Sequence, residues 1–81
     1  MKYDYIEVLN QLKQGEWDTA HQLVQQHSDK ISCLIHAYLH RVEGDLSNAN
    51  YWYTRAEITM PENTLEEELN RLYQLVNTDS D

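Results

Sequence analysis

Two histidines on one predicted helix are the residues best placed to do chemistry. His36 and His40 are four positions apart, which puts both imidazoles on one helix face and within reach of one metal ion. Cys33 shares that face, but it is about 10 Å from His40 along the helix axis, too far for both to bind the same ion. A metal site would therefore need a ligand from another helix. The candidates for that ligand are His21, Asp18 and Asp45.

The histidines also have interpretations that need no metal. Buried polar atoms require hydrogen-bond partners, so both imidazoles can be interior groups that bond a backbone carbonyl, Asn48, Asp45 or a tyrosine. A third interpretation is that they line a polar recess that contacts a partner or a small ligand. Because the third metal ligand is conjectural, we predict no bound metal and no cofactor.

The aromatic residues are the second candidate for function. The chain has six Tyr, two Trp and no Phe, and the polar edges of Tyr and Trp favour them at interfaces that stay partly wet. Trp17 and Trp52 can instead fill the core between helices. Tyr51 falls off the inward stripe of its predicted helix and shares a face with Arg55. Tyr51 must therefore be covered by a partner or by the last helix, or lie exposed as an anchor.

The residues available for catalysis are few. The sequence has no glycine-rich phosphate loop and no motif around a serine nucleophile. Cys33 lies near two histidines but within a helix predicted to be buried, where a thiol tends to be inert. We therefore predict that the chain is not an enzyme. The alternative is a small-molecule-binding protein or a metal-dependent enzyme that uses the histidine cluster, and it requires a concave pocket and a histidine of perturbed pKa.

Charge argues against two classes of partner. With 14 acidic and 6 basic residues, the formal net charge is -8, which repels nucleic acid phosphates and anionic lipid headgroups. We predict neither a nucleic acid nor a membrane partner. The densest acidic run, Glu66 to Glu68 with Glu62, opens the last predicted helix, where negative charge complements the helix dipole. A docking surface for a basic segment is the alternative.

Size and cysteine content indicate one small cytoplasmic domain. A chain of 81 residues has room for a single core. Cys33 is the single cysteine, so no internal disulfide can form, and the sequence shows neither a signal-peptide pattern nor a membrane-spanning run. We expect one helical domain over residues 1–76, followed by a polar tail over residues 77–81.

Polar caps and helix-ending residues divide the chain into five predicted helices. Asp4 with Glu7, and Thr64 with Glu67, have the spacing of a capping box. The other predicted helices begin at Glu16 or Asp18, at Ser28 or Asp29, and at Asp45 or Ser47. The predicted ends of the first, third and fourth helices are Gly15, Gly44 and Pro61.

The third predicted helix has too little polar surface to lie on the outside. Its residues plainly suited to water are Lys30, Ser32, Arg41 and Glu43. We therefore predict that this helix is central, with an inward stripe of Ile31, Leu34, Ile35, Tyr38 and Val42 and with His36 and His40 at least partly inside. The fourth helix is expected to face inward with Leu46, Ala49, Trp52, Tyr53 and Ala56. The fifth has a narrow seam of Leu65, Leu69, Leu72 and Val76 and carries its charges on the solvent side, as a capping helix does.

An internal repeat suggests how the helices stack. Residues 15–20, Gly-Glu-Trp-Asp-Thr-Ala, return as residues 44–49, Gly-Asp-Leu-Ser-Asn-Ala, at an offset of 29. A fixed period of this length is typical of stacked helical hairpins. The second unit also contains a glycine, an alanine, an aromatic residue, a second alanine and a proline whose spacings form a pattern. These are Gly44, Ala49, Tyr53, Ala56 and Pro61.

That pattern resembles a tetratricopeptide repeat over residues 31–61, and more weakly over residues 4–28. Where the family usually has a large aromatic residue, a leucine and a tyrosine, this chain has Cys33, His36 and His40. The segment from His36 to Ala56 is also similar to one in small bacterial proteins without an assigned activity, a similarity that implies no function. The repeat resemblance implies a module that binds a protein or peptide.

We therefore predict an all-α fold of two antiparallel helical hairpins, tetratricopeptide-like, plus a C-terminal capping helix. The predicted function is non-catalytic binding of a protein or peptide partner. Because a short array leaves apolar faces that a second copy could cover, a two-fold homodimer is also expected. The predicted binding surface comprises His21, His36, His40, Asn48, Tyr51 and Trp52.

Overall fold

A computed structural model of the chain describes residues 3–79, which form five α-helices. No strand occurs among these residues, so the predicted all-α class is confirmed. The helices are α1 (Tyr5–Lys13), α2 (Trp17–Val24), α3 (Lys30–Val42), α4 (Leu46–Arg55) and α5 (Leu65–Asp79). Over residues 3–79 no helix combines the length and the apolar character that a membrane crossing requires.

Four of the five helices begin at caps predicted from sequence. The side chains of Asp4, Asp29 and Asp45 each accept a hydrogen bond from a backbone amide in the first turn of the helix that follows. Thr64 and Glu67 form a reciprocal capping box, with bonds of 2.9 and 3.1 Å. The exception is α2, where the side chain of Glu16 makes no capping bond. The predicted role of Glu16 as a side-chain cap is therefore wrong.

Three helices end in the same turn. Gly15 after α1 and Gly44 after α3 have φ of +81° and +84°. In each case the amide of the following residue bonds a carbonyl five positions back, which is the Schellman arrangement. The turn after α4 has the same bonds, but Glu57 takes the left-handed position at φ of 64°. Helix α4 therefore ends at Arg55, and the prediction that Pro61 ends it is wrong.

We expect Glu57→Gly to stabilise the protein by roughly 0.5–1 kcal/mol. A residue with a Cβ is strained at this φ, and relief of that strain outweighs the extra freedom of glycine in the unfolded chain. The shift in the urea midpoint measures the effect. Glu57→Ala removes the same charge and keeps the Cβ, so it should give no gain. Equal midpoints for the two variants would contradict the strain argument.

Helix α3 is the centre of the fold, as predicted, because it packs against all four other helices. Its residues from Ser32 to His40 are all buried. Around it, α1 packs against α2, and α5 lies across both α1 and α3. The largest fully buried apolar side chains of the core are Tyr53, Leu9, Leu34, Ile35, Leu39 and Leu72.

Five predicted burial positions differ in the structure. Ser32 is buried because its hydroxyl donates to Asp29 and contacts the Tyr3 hydroxyl at 2.9 Å. Val42, Leu46 and Leu65 are exposed, although all three were predicted to face inward. Val42 and Leu46 flank the turn between α3 and α4 rather than face a neighbouring helix, and Leu65 is the first residue of α5. Glu68, expected among the solvent-facing charges of α5, is fully buried.

Helix α5 continues beyond the predicted end of the domain. Residues 77–79 of the predicted polar tail are helical. The remaining two residues of that tail, 80 and 81, lie outside the described residues.

Candidate functional site

Three histidines from two helices meet in one cluster. His21 comes from α2, and His36 and His40 come from successive turns of α3. The ring centroids are 5.0 Å apart for His21 and His36, 5.6 Å for His21 and His40, and 4.9 Å for His36 and His40. One potential ligand atom of each ring lies within 4.8 Å of the others. Of the predicted candidates for a third ligand, the packing of α2 on α3 thus brings His21 to the pair.

Two tryptophans form the walls of the histidine cluster. Trp17 stacks on His21 at 4.9 Å, and Trp52 stacks on His36 at 3.9 Å, with nearly parallel rings in both pairs. The indole N–H of Trp17 donates to the backbone carbonyl of Leu39 at 2.9 Å. That bond connects α2 to α3 beside the histidine cluster, so Trp17 has a structural role.

The polar atoms of His36 and His40 are satisfied differently. Nδ1 of His40 forms a short hydrogen bond with a carboxylate oxygen of Glu43, one turn further along the chain. Nδ1 of His36 is buried and has no hydrogen-bond partner among the described residues. The partners predicted from sequence were Asn48, Asp45 or a tyrosine. Glu43 was not among them, although its i, i+3 spacing from His40 could have indicated it.

Burial also changes the protonation of His36. It lowers the pKa of His36 to about 4, helped by the neighbouring imidazoles of His40 and His21 and by the positive charge of Arg55. His36 is therefore neutral at physiological pH. A neutral ring keeps one nitrogen lone pair available as an acceptor or a metal ligand.

One face of α4 carries a group of exposed aromatic and cationic side chains. Asn48, Tyr51, Trp52 and Arg55 follow i, i+3, i+4 and i+7 spacing, which places them on the same face. Tyr51 is 54% exposed and meets Trp52 edge to face at 5.2 Å. The guanidinium of Arg55 lies 5.0 Å from the centre of the Trp52 ring and 6.0 Å from that of Tyr51. We call Tyr51, Trp52 and Arg55 the aromatic face.

The predicted binding residues thus separate into two layers. Tyr51 is exposed, and His21, Asn48 and Trp52 are partly buried. His36 and His40 lie beneath them, with only 4% and 6% of their surfaces exposed. Trp52 joins the layers because one side of its ring faces His36 and the other belongs to the aromatic face.

The thiol of Cys33 lies apart from this chemistry. Cys33 is buried, and its Sγ donates to the backbone carbonyl of Ser28 at 3.5 Å. Burial raises the pKa of the Cys33 thiol, partly offset by Arg55. A buried thiol with a raised pKa is a poor nucleophile.

A buried polar network around Glu68 was not found by sequence reasoning. Glu68 accepts from both the Nε and Nη2 atoms of Arg71 at 2.8 Å, from the Tyr53 hydroxyl at 2.7 Å and from the Asn63 amide at 2.9 Å. Arg41 donates to the Asn63 side chain at 2.8 Å and contacts the Tyr53 hydroxyl. The network joins α3, α4 and α5 through the loop between the last two helices.

The pKa of Glu68 shows that these bonds outweigh its burial. Burial alone would raise the pKa of Glu68, but the hydrogen bonds from Arg71, Asn63 and Tyr53 bring it below its ordinary value. Burial and the adjacent Glu68 carboxylate raise the pKa of Tyr53. The pair is therefore a carboxylate and a neutral phenol, with the phenol donating, and all the bonds to Glu68 are charge-assisted.

A separate pocket of about 460 Å³ lies between α3, α5 and the loop after α4. Ile31, Leu34 and Leu75 contribute its apolar wall, and Lys30 and Arg71 are its cationic residues. None of the clustered histidines lines it, so it is not the concave histidine pocket that the enzyme alternative requires.

Comparison with known proteins gives no relative from which to transfer a function. No family model, no curated protein and no solved structure matches the chain.

Proposed function

We propose that the protein is a non-catalytic module that binds a protein or peptide partner through the aromatic face of α4. The composition of that face carries the proposal: Tyr51, Trp52 and Arg55 lie side by side. Tyr, Trp and Arg are the residue types most enriched among interface residues that dominate binding energy. Asn48 and His21 contribute polar groups beside them.

Packing supports this proposal because it holds the aromatic face rigid. Trp52 is stacked on the buried ring of His36, and Arg55 lies over Trp52. Side chains that are already ordered lose less conformational entropy on binding, so more of the contact energy appears as affinity. The face is thus suited to act as an anchor.

The chemistry of the face indicates what the partner presents. An apolar or aromatic side chain suits the exposed edge of Tyr51 and Trp52. A carboxylate suits Arg55, which is a local positive charge on a chain of net charge -8. We propose that the partner segment carries an apolar or aromatic side chain and a carboxylate, no further apart than one or two helical turns.

We also propose that the scaffold is a tetratricopeptide-like pair of hairpins. Helix α1 packs against α2 and α3 packs against α4. Within each pair, a three-residue turn joins the two helices. The left-handed glycines of these turns, Gly15 and Gly44, are 29 residues apart. In this arrangement α5 closes the pair across α1 and α3.

The proposal that the module is non-catalytic rests on the state of its one thiol and on the arrangement of its histidines. Cys33 is buried with a raised pKa. His36 and His40 are buried, and Trp52 stacks on His36, so a substrate would first have to displace neighbouring side chains to reach these two rings. Direct binding of a partner to the exposed face needs no such movement.

We expect the double variant Tyr51→Ala, Arg55→Ala to lose partner binding by more than tenfold. The few residues that dominate an interface each cost about 2 kcal/mol or more when truncated, and we propose that Tyr51 and Arg55 are of this kind. The measurement is affinity capture from native cytoplasm with the parent and the double variant as baits, followed by titration of the enriched partner. Both substitutions are at exposed positions, so folding should be preserved, as circular dichroism can verify.

The matched control is Lys13→Ala, Leu65→Ala, which also removes one exposed cation and one exposed apolar side chain but lies on α1 and α5. It should bind the partner as the parent does. Retention of the same partner by both double variants would reject the aromatic face. A second copy of this chain as the captured partner would identify the predicted homodimer, and sedimentation of parent and variant would then measure it.

A further inference from the structure

We infer that His21, His36 and His40 form a binding site for one divalent first-row transition-metal ion, with Zn²⁺ as the reference ion. This inference goes beyond the partner-binding surface and does not depend on it. The sequence alone predicted no metal because a third ligand could not be placed; the fold supplies that ligand from α2. Three imidazoles are a common protein ligand set for zinc.

The distances within the cluster fit coordination after a small adjustment. Zinc binds imidazole nitrogen at about 2.0–2.1 Å, which places the nitrogens of a tetrahedral site about 3.3 Å from one another. The available nitrogens already lie within 4.8 Å of each other. The remaining movement is on the order of 1 Å, within the reach of small side-chain rotations.

The polar environment of His40 is that of a metal ligand. Its Nδ1 is held by the Glu43 carboxylate, which leaves Nε2 as the nitrogen for the ion. A carboxylate bound to the far nitrogen of a ligating histidine fixes the ring orientation and raises its basicity. Glu43 thus takes the supporting position that metal-binding histidines usually have.

His36 contributes a buried nitrogen that lacks a hydrogen-bond partner within residues 3–79. Only 4% of the surface of His36 is exposed, yet its Nδ1 has no hydrogen-bond partner among the described residues. An unsatisfied buried polar atom destabilises a protein, and such an atom at a native site calls for a missing ligand, water or ion. Coordination of the ion through Nδ1 of His36 gives this atom the partner that it lacks.

Charges around the cluster favour a cation on balance. Glu43 and Asp45 lie close to His40, and together these three form a second set of potential ligands within 4.8 Å of one another. Arg55 acts in the opposite direction, because its positive charge is felt at His36. The two carboxylates outnumber this single guanidinium, and the chain as a whole carries -8. His21 is only partly buried, so it provides the entry path that a site needs.

The test is titration of the metal-free, full-length chain, without a histidine tag, with Zn²⁺ alone and with Co²⁺ alone. We expect one ion per chain, a visible Co²⁺ spectrum of the tetrahedral type, and an increase in melting temperature with Zn²⁺, since the ion links α2 to α3 and binds only the folded state. His21→Ala should weaken binding at least tenfold. Because His21 is partly exposed, this variant should remain folded, which circular dichroism checks.

The matched control is the fourth histidine. His27 stacks on Tyr3 at 3.6 Å, outside the cluster, so His27→Ala should bind Zn²⁺ within twofold of the parent. Glu43→Gln should weaken binding about 10–100-fold. No stoichiometric ion in the parent, or equal affinity in His21→Ala and His27→Ala, overturns the site. None of these measurements uses a partner, so a negative result would reject the metal site and would not bear on partner binding by the aromatic face.

Discussion

Substitution Glu68→Ala should destabilise the protein by about 3–5 kcal/mol, as removal of one member of a buried charged network does. The loss follows from the groups left behind: the Tyr53 hydroxyl, the Asn63 amide and the Arg71 guanidinium all lose their common acceptor. A domain of 81 residues has a total stability of roughly 4–12 kcal/mol. Urea unfolding should therefore show a large drop in midpoint, or a chain already unfolded in buffer.

The control for this variant is Glu66→Ala, two residues earlier on the exposed side of α5. Both changes remove one carboxylate from the first turns of the same helix, so they share any effect on the helix dipole. Glu66→Ala should stay within about 0.5 kcal/mol of the parent. If the two variants unfold at the same urea concentration, the network around Glu68 does not contribute to stability.

Acidification of the metal-free protein should produce the second large effect. Burial lowers the pKa of His36 to about 4 from its usual 6.5. Below pH 6.5 the unfolded chain therefore binds a proton at this position that the folded chain does not. The contribution of neutral His36 is complete above pH 6.5 and falls progressively as the pH decreases towards 4, by at most about 3 kcal/mol.

Urea midpoints measured with a chelator at several values between pH 7 and pH 5 test this expectation. Glu68, whose pKa is lowered from 4.5, loses its contribution to stability only below pH 5. The change in midpoint between pH 7 and pH 5 therefore reports on His36. His36→Phe keeps a ring against Trp52 and removes the titrating group, so its profile should be flatter. His27→Ala should keep the parental slope, and a flat parental profile would contradict a depressed pKa.

The helices and their ends follow from local sequence. Asp4, Asp29 and Asp45 cap the helices that they precede, and Thr64 and Glu67 form the predicted box. These signals can be predicted because both partners of each bond lie within one turn of chain. Glu57 was missed because a non-glycine residue in the left-handed position carries no local marker.

Burial followed the helical period only where one face of a helix meets the core. The helical period correctly predicted that Ala49 and Tyr53 are buried. It also predicted burial of Val42 and Leu46, which instead lie exposed at the outer end of the hairpin, where no helix covers them. Glu68 shows the reverse case. Its charge predicted exposure. Arg71 lies one turn further along the same helix, but Tyr53 from α4 and Asn63 from the loop before α5 meet Glu68 only in the folded chain, and all three together make its burial favourable.

What local sequence determined about the candidate site is the i, i+4 placement of His36 and His40 and the shared face of Tyr51 and Arg55, because helical geometry alone sets those spacings. The tertiary structure decided which groups meet them. His21 reaches the cluster and Trp52 covers His36 only because α2 and α4 both pack against α3. Such contacts join residues 15 or more positions apart, and they depend on how whole helices pack, which no local spacing encodes.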